Sequence, residues 1–207
     1  TENLSLSEYQ YLCQRFNRTA AEVCEGQQMD MNFENRSQVQ ISEYIEMIRL
    51  KTSVLIGLSL EMGAILAQTS REISDALYRI GELIGLGFQL KDDLLDVYGD
   101  PEKFGKQPGG DILSNKKTFL LIRALEQAQG QLEIDLQGWL AAENYDPREK
   151  VQAVTAIYNA LGIRSATEKE INQYFDQAFL AMEELPLEAE KKEGLLKFMH
   201  GLVDREV

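Results

Sequence analysis

GFQLKDDLLDVYGDPEKFGKQPGGDILSNKKT, residues 87–118, combines acids, glycines and lysines in one short stretch. Gln89, Asp92, Asp93 and Asp96 are spaced i, i+3, i+4 and i+7, which places them on one flank of an α-helix. Carboxylates one turn apart repel each other, and the C-terminal end of a helix disfavours negative charge. The spacing therefore predicts a helix whose acidic end requires a counter-ion.

Magnesium is the counter-ion that suits this group of acids. It prefers oxygen ligands and is usually held by one or two carboxylates together with substrate phosphates. The alternative is a solvated acidic helix end, since acids are common on protein surfaces. The residues that follow favour the metal site, because a loop rich in glycine and proline contains Lys106, is closed by Asp111 and leads to Lys116 and Lys117. These lysines could neutralise a diphosphate that the metal also binds.

The same loop does not have the spacing of a nucleotide-binding P-loop. Between Gly99 and Gly105-Lys106 there is one residue too many for the GxxxxGK pattern, and Gln107 stands where a serine or threonine is required. The segment before the loop also has the pattern of a helix and not that of a strand. We therefore reject a P-loop.

The order of these motifs resembles the second aspartate-rich region of the trans-isoprenyl diphosphate synthases, the polyprenyl synthetase family. The resemblance depends on FQ at 88–89, DDLLD at 92–96, GK at 105–106, GGD at 109–111 and KKT at 116–118. Two motifs further upstream are similar to the family's GQxxD and KT motifs, namely EGQQMD at 25–30 and Lys51-Thr52. The resemblance extends from about Ser5 to the C-terminus.

The resemblance implies a magnesium-dependent prenyltransferase. An allylic diphosphate ionises, the double bond of isopentenyl diphosphate attacks the carbocation in a 1'-4 elongation, and a proton is lost. The implied catalytic residues are Lys51, Thr52 and Gln89, and the implied metal residues are Asp92, Asp93 and Asp96, with Asp92 as the direct ligand. The implied diphosphate-binding residues are Lys51, Lys106, Lys116 and Gln27. Asp30 and Asp111 are implied to contact and orient these residues without binding the diphosphate themselves.

Members of the family also carry an upstream half with a GGKRxRP-type segment, a first DDxxD motif and an arginine pair, none of which is in this sequence. We therefore expect the chain to be the C-terminal two-thirds of a longer enzyme, inactive alone, and not a natural half-length relative. A second function stays open, that of a non-catalytic partner subunit which binds a full-length synthase and regulates it. A first DDxxD motif in the complete reading frame would favour the enzyme.

The composition favours an all-α protein, since 44% of the 207 residues are apolar and four are prolines. Helical patterns extend over residues 4–31, 39–68, 71–97, 117–129, 147–161, 165–182 and 187–203, with a short extra turn at 136–142. Gly130, Gly162 and Pro186 are among the predicted breaks. The predicted fold is a single-domain helical bundle over residues 1–207, which the resemblance makes one of the isoprenoid synthase type.

The net charge of −13 argues against nucleic acid as a partner. Cys13 and Cys24 would lie about 16 Å apart on a continuous helix, beyond the reach of a disulfide, and two free thiols are typical of a cytoplasmic protein. The apolar stretch 54–67 contains Glu61 and is too short to cross a bilayer, so no membrane span is predicted. The implied partners are the two diphosphate substrates and a second copy of the chain in a homodimer.

Overall fold

The computed structural model describes residues 4–100 and 109–204. Every regular element among them is helical, which confirms the prediction of an all-α fold. The elements are α1 (Leu6–Glu34), α2 (Ile41–Ile48), a π-helix (Arg49–Ser53), α3 (Val54–Leu66), α4 (Arg71–Tyr98), α5 (Gly110–Leu113), α6 (Phe119–Gln127), α7 (Gln131–Ala141), α8 (Pro147–Ala160), α9 (Ile163–Glu184) and α10 (Ala189–Val203). In this described part of the chain, no helix is long and apolar enough to span a membrane.

The observed helices differ from the predicted ones in the segment that α7 occupies and in the short helix α5. The sequence predicts only a short turn at 136–142, whereas α7 begins at Gln131. Its large apolar residues do not all face the protein interior, because Leu136 is buried while Ile134 is exposed. The apolar pattern of the segment is therefore a weak indication of a helix. The helix packs against α8, and such tertiary packing supplies most of the stability of a protein helix.

Local capping explains where α1 and α8 begin. Ser5 and Glu8 form a capping box, in which the Ser5 backbone N–H donates to Glu8 Oε2 at 2.7 Å and the Glu8 backbone N–H donates to Ser5 Oγ at 3.2 Å. The Ser5 hydroxyl also donates to Glu8 Oε2 at 2.6 Å, and the hydrogen bonds from this hydroxyl and from the Ser5 backbone lower the pKa of Glu8. At α8, the Asp146 carboxylate accepts from the two backbone N–H groups that follow Pro147, at 2.8 and 3.2 Å.

The described residues form two compact units. The first unit comprises residues 4–30, 45–89 and 172–204, and the second comprises residues 31–44, 90–100 and 109–171. Helices α1, α2, α4 and α9 each contribute residues to both units. The assignment of residues 1–207 to a single domain stays a prediction.

In the first unit, α3 and α4 pack with their backbones in contact. A Cβ atom on Gly81 would lie 2.6 Å from the Cα atom of Gly57, so neither position has room for a side chain at this crossing. Val54, Ile80 and Ile84 beside the crossing are fully buried. The crossing fixes α3, and with it the π-helix that immediately precedes α3.

In the second unit, α8 packs against α5, α6 and α7. Gly109, which precedes α5, has a φ of +95° and lies so close to α8 that an added Cβ would be 2.6 Å from Val151 Cγ2. Only glycine adopts this backbone conformation without strain and also fits the space. The GGD segment is therefore held between the end of α4 and α8, where its acid belongs to the site described next.

Candidate functional site

Two sequence motifs that are far apart in the chain meet in the first unit, in a group that we call the lysine cluster: Asp30, Lys51, Thr52 and Gln89. The Lys51 ammonium lies 2.6 Å from Asp30 Oδ2, and the Thr52 hydroxyl donates to Gln89 Oε1 at 3.0 Å. All four side chains are partly exposed. The cluster therefore presents a cation that is held by a carboxylate and, beside it, a hydroxyl that is hydrogen-bonded to an amide.

Lys51 and Thr52 lie on the π-helix and not on an α-helix. The Val54 backbone N–H donates to the carbonyl oxygen of Arg49, five residues earlier, which is the hydrogen bond of a π-helix. Short π-helical segments within α-helices are frequent at functional sites. The wider turn changes the directions in which Lys51 and Thr52 project, and sequence periodicity did not predict it.

The π-helix is held on two sides by close helix contacts. On α1, a Cβ atom at Gly26 would lie 2.8 Å from the carbonyl carbon of Leu50 and would also overlap the backbone of Lys51. On α4, a Cβ atom at Gly85 would lie 2.5 Å from Ser53 Cα. Glycine at these two positions lets both helices approach the segment that carries Lys51.

Arg49 adds an ionic connection between the π-helix and α4. Its guanidinium group donates to Glu82 Oε1 at 2.9 Å and to Glu46 Oε2 at 2.8 Å. The hydrogen bond from Arg49 lowers the pKa of Glu46. The start of the π-helix is therefore fixed by packing and by a charge-assisted hydrogen bond.

The second unit contains a group that we call the aspartate cluster: Asp92, Asp93, Asp96, Asp111 and Lys116. Asp96 Oδ2 accepts a hydrogen bond from the Asp111 backbone N–H at 2.9 Å, and the Asp96 carbonyl accepts from the Gly109 N–H at 2.6 Å. The Lys116 ammonium lies 3.4 Å from Asp111 Oδ1. The end of α4, the GGD segment and the KKT motif thus meet in one place.

Partial burial and neighbouring charges both act on the acid of the GGD segment. Burial raises the pKa of Asp111, Lys116 opposes this rise, and the nearby carboxylates of Asp96 and Asp92 add to it. Burial also lowers the pKa of Lys117, the next residue along the chain. A bound cation would relieve the repulsion among the acids.

Asp93 differs from its neighbours in being almost completely buried, with 3% of its surface exposed. Its Oδ2 accepts a hydrogen bond from the Tyr44 hydroxyl at 2.5 Å. Tyr44 is 1% exposed, and its ring packs against Phe119 with the ring centroids 6.4 Å apart. Sequence reasoning missed Tyr44; the available signal was a tyrosine on the apolar face of α2, where its hydroxyl needs a partner.

A buried lysine orients the turn that precedes Lys116. Lys150 is 1% exposed, and its ammonium donates to Asn115 Oδ1 at 2.8 Å, while Asn115 Nδ2 donates to the carbonyl of Leu140 at 3.0 Å. Asn115 has a φ of +53°, a left-handed conformation that asparagine tolerates better than most residues. Thr118 then caps α6 by accepting from the Leu121 N–H at 3.4 Å.

The other predicted site residues, Gln27, Asp92 and Lys106, lie in different surroundings or outside the described part of the chain. Gln27 is exposed near the lysine cluster's Asp30 on α1, Asp92 is half-buried near the end of α4, and Lys106 lies outside the described residues. Among the residues that the structure describes, no three carboxylate, histidine or cysteine side chains converge as a ready-made metal cage. A half-buried Asp92 fits Mg²⁺ nevertheless, because this ion is usually held by one or two carboxylates while waters and phosphates complete its shell.

Comparison with known proteins agrees with the motifs that the structure brings together. The profile of the polyprenyl synthetase family matches residues 2–161. The chain belongs to this family. A geranylgeranyl diphosphate synthase of Methanosarcina mazei is 43% identical over 121 residues, which are 58% of this chain and 36% of that synthase. A short chain isoprenyl diphosphate synthase of Methanothermobacter thermautotrophicus is 35% identical over 190 residues, 91% of this chain and 57% of that synthase.

The solved structures give the same polyprenyl synthetase fold. The crystal structure of a geranylgeranyl pyrophosphate synthase matches with a TM-score of 0.91 and 41% identity over 100% of this chain and 64% of that one. The chain thus spans between 36% and 64% of these three synthases. The comparisons confirm the family that the motifs predict.

Proposed function

We propose that this member of the polyprenyl synthetase family condenses isopentenyl diphosphate with an allylic diphosphate in a magnesium-dependent prenyl transfer. The observation that supports it best is the aspartate cluster, where Asp96 holds the GGD segment against α4 and Lys116 lies beside Asp111. The similar proteins described above are named as isoprenyl diphosphate synthases, which supports the same reaction.

The lysine cluster would bind a diphosphate group. Lys51 would donate to the phosphate oxygens while Asp30, at 2.6 Å, keeps its ammonium oriented. Thr52 donates to Gln89 Oε1 at 3.0 Å and would thereby orient the Gln89 amide, whose Nε2–H groups would donate to the same diphosphate. Gln27 and Lys106 complete the proposed set of diphosphate-binding residues. Fixed donors of this kind stabilise charge as it develops on a departing diphosphate.

In the aspartate cluster, we assign Asp92 as the direct ligand of Mg²⁺ and Asp93 and Asp96 as acids that act around it. When bound, Mg²⁺ would cancel charge on the leaving oxygens of the diphosphate. Lys116 would bind the diphosphate, and Asp111 would orient the Lys116 ammonium. The reaction breaks the allylic C–O bond, forms the new carbon–carbon bond to isopentenyl diphosphate, and releases a proton.

The proposal includes a homodimer in the cytoplasm, with neither nucleic acid nor a membrane span involved. The alternative of a non-catalytic partner subunit has no observation of its own in its favour. A subunit that only regulates another synthase would not need Asp92, Lys51 and Lys116 to keep side chains suited to a metal ion and a diphosphate.

The test is the thermal stabilisation of the protein, expressed from its complete reading frame, by Mg²⁺ with a bisphosphonate. A ligand selective for the folded state contributes about 2.7 kcal/mol at a concentration of 100 Kd, which should raise Tm by several degrees. Asp92→Asn should abolish most of this rise, because the direct ligand of the metal is lost. Wild-type protein should also form a prenyl product from radiolabelled isopentenyl diphosphate only when Mg²⁺ is present.

Two outcomes would contradict the proposal. If Asp92→Asn responds to Mg²⁺ and bisphosphonate as the wild type does, Asp92 is not the ligand. If the wild type is stabilised but condenses no pair of diphosphates, the protein binds these ligands without catalysing prenyl transfer.

A further inference from the structure

Tyr44 is a buried tyrosine whose hydroxyl contacts a carboxylate that is next in sequence to the proposed metal ligand. The 2.5 Å hydrogen bond from its hydroxyl to Asp93 Oδ2 joins α2 to α4. With 1% and 3% of their surfaces exposed, neither Tyr44 nor Asp93 is well placed to exchange this hydrogen bond for one to bulk water. A hydrogen bond in such surroundings is stronger than the same hydrogen bond in water.

The ring of Tyr44 is fixed as well as its hydroxyl. It packs against Phe119, at an angle of 58° between the ring planes, and Phe119 is itself only 1% exposed. Phe119 is the first residue of α6 and follows the KKT motif directly. One side chain therefore contacts both the acid motif on α4 and the helix that begins after the lysine motif.

We propose that Tyr44 is a positioning residue for the magnesium site, whose hydroxyl orients the Asp93 carboxylate and whose ring holds the start of α6 against it. The inference rests on the proposed function, because it assigns the support of the same metal site. The hydroxyl carries no charge, so the hydrogen bond orients Asp93 without cancelling the negative charge that attracts Mg²⁺. Tyr44 itself touches neither metal nor substrate in this role.

The experiment is a calorimetric Mg²⁺ titration at 25 °C of the protein expressed from its complete reading frame, at a saturating bisphosphonate concentration, with the midpoint of Mg²⁺ binding as the readout. Tyr44→Phe keeps the ring on Phe119 and removes only the hydroxyl. It should raise the Mg²⁺ concentration for half-maximal binding by on the order of tenfold, as expected for losing a hydrogen bond to a charged group. The midpoint is measured on folded protein, so a general loss of stability would lower the Tm without moving the midpoint.

Tyr158→Phe is the matched control. Tyr158 is also buried in the second unit, with 2% of its surface exposed. Burial, Tyr98 and the nearby Asp111 all raise the pKa of Tyr158, but its hydroxyl makes no hydrogen bond to a described carboxylate. This variant should leave the Mg²⁺ midpoint unchanged. An equal rise in the midpoint for both variants would show that any buried hydroxyl in this unit has the same effect, and would overturn the inference.

A double variant separates this inference from the proposed function. If Tyr44 acts through Asp93, adding Tyr44→Phe to Asp93→Asn should raise the Mg²⁺ midpoint no further than Asp93→Asn alone. Additive effects would overturn the positioning role, as would a wild-type midpoint in Tyr44→Phe when Asp92→Asn abolishes the stabilisation. Stabilisation that survives Asp92→Asn would instead overturn the proposed metal site.

Discussion

Replacement of Gly26 by alanine should destabilise the protein, although alanine is normally preferred in a helix. The new methyl group would lie 2.8 Å from Leu50 C and from Lys51 Cα, and no side-chain rotation can relieve an overlap with backbone. Overpacking costs about 1–3 kcal/mol, of which helix propensity offsets about 1 kcal/mol. Because the overlap is with backbone, we expect a net loss of about 2 kcal/mol, or roughly 4–8 °C in Tm for a chain of this size.

Gly63→Ala is a control that should increase the stability of the protein and not decrease it. Gly63 lies within α3, and an added Cβ would meet no atom within 4 Å. Alanine there should stabilise the helix by about 0.5–1 kcal/mol. The assay is thermal and urea unfolding of both variants, followed by Tm shifts with a bisphosphonate, which Gly26→Ala should weaken by displacing Lys51. If Gly26→Ala were as stable as Gly63→Ala, the close contact between α1 and the π-helix would be refuted.

Two further predictions concern Asp111 and its partner. Lys116→Ala should change the free energy of unfolding by less than about 1 kcal/mol, because partly exposed ion pairs contribute little. The same variant should weaken bisphosphonate binding about tenfold by calorimetry, and unchanged affinity would remove Lys116 from the site. Burial raises the pKa of Asp111 above 3.8, so its stabilising contribution is present below that pH and is lost as pH rises through the raised pKa. Asp111→Asn should therefore gain stability relative to wild type as pH rises above 3.8 in thermal melts, and a constant difference would contradict the assigned burial.

Helices and their approximate ends could be predicted because they depend on residues close together in sequence. The pattern at 71–97 predicts α4 to within one residue of its observed end at Tyr98. The π-helix could not be predicted in this way, because its wider turn depends on where α1 and α4 press against Leu50 and Ser53. The same apolar pattern is compatible with an unbroken α-helix from 39 to 68.

The site was only partly predictable, for a related reason. The motifs identify the acids and lysines, but they do not say which atoms hold them. Tyr44 is 49 positions from Asp93, and Asp30 is 21 positions from Lys51. These pairs form only when helices distant in sequence pack together, so their roles depend on tertiary structure.

Two of the donors that contact Asp93 and Asp96 share a property that bears on metal binding. Asp93 accepts from the Tyr44 hydroxyl and Asp96 from the Asp111 backbone N–H, and both donors are neutral. A lysine or arginine in either place would orient the carboxylate equally well but would cancel the negative charge that attracts a divalent cation. Neutral donors instead stabilise the ionised carboxylate by hydrogen bonding and leave its net charge unchanged. Carboxylates oriented by neutral donors in this way suit a site whose counter-ion arrives together with the substrate.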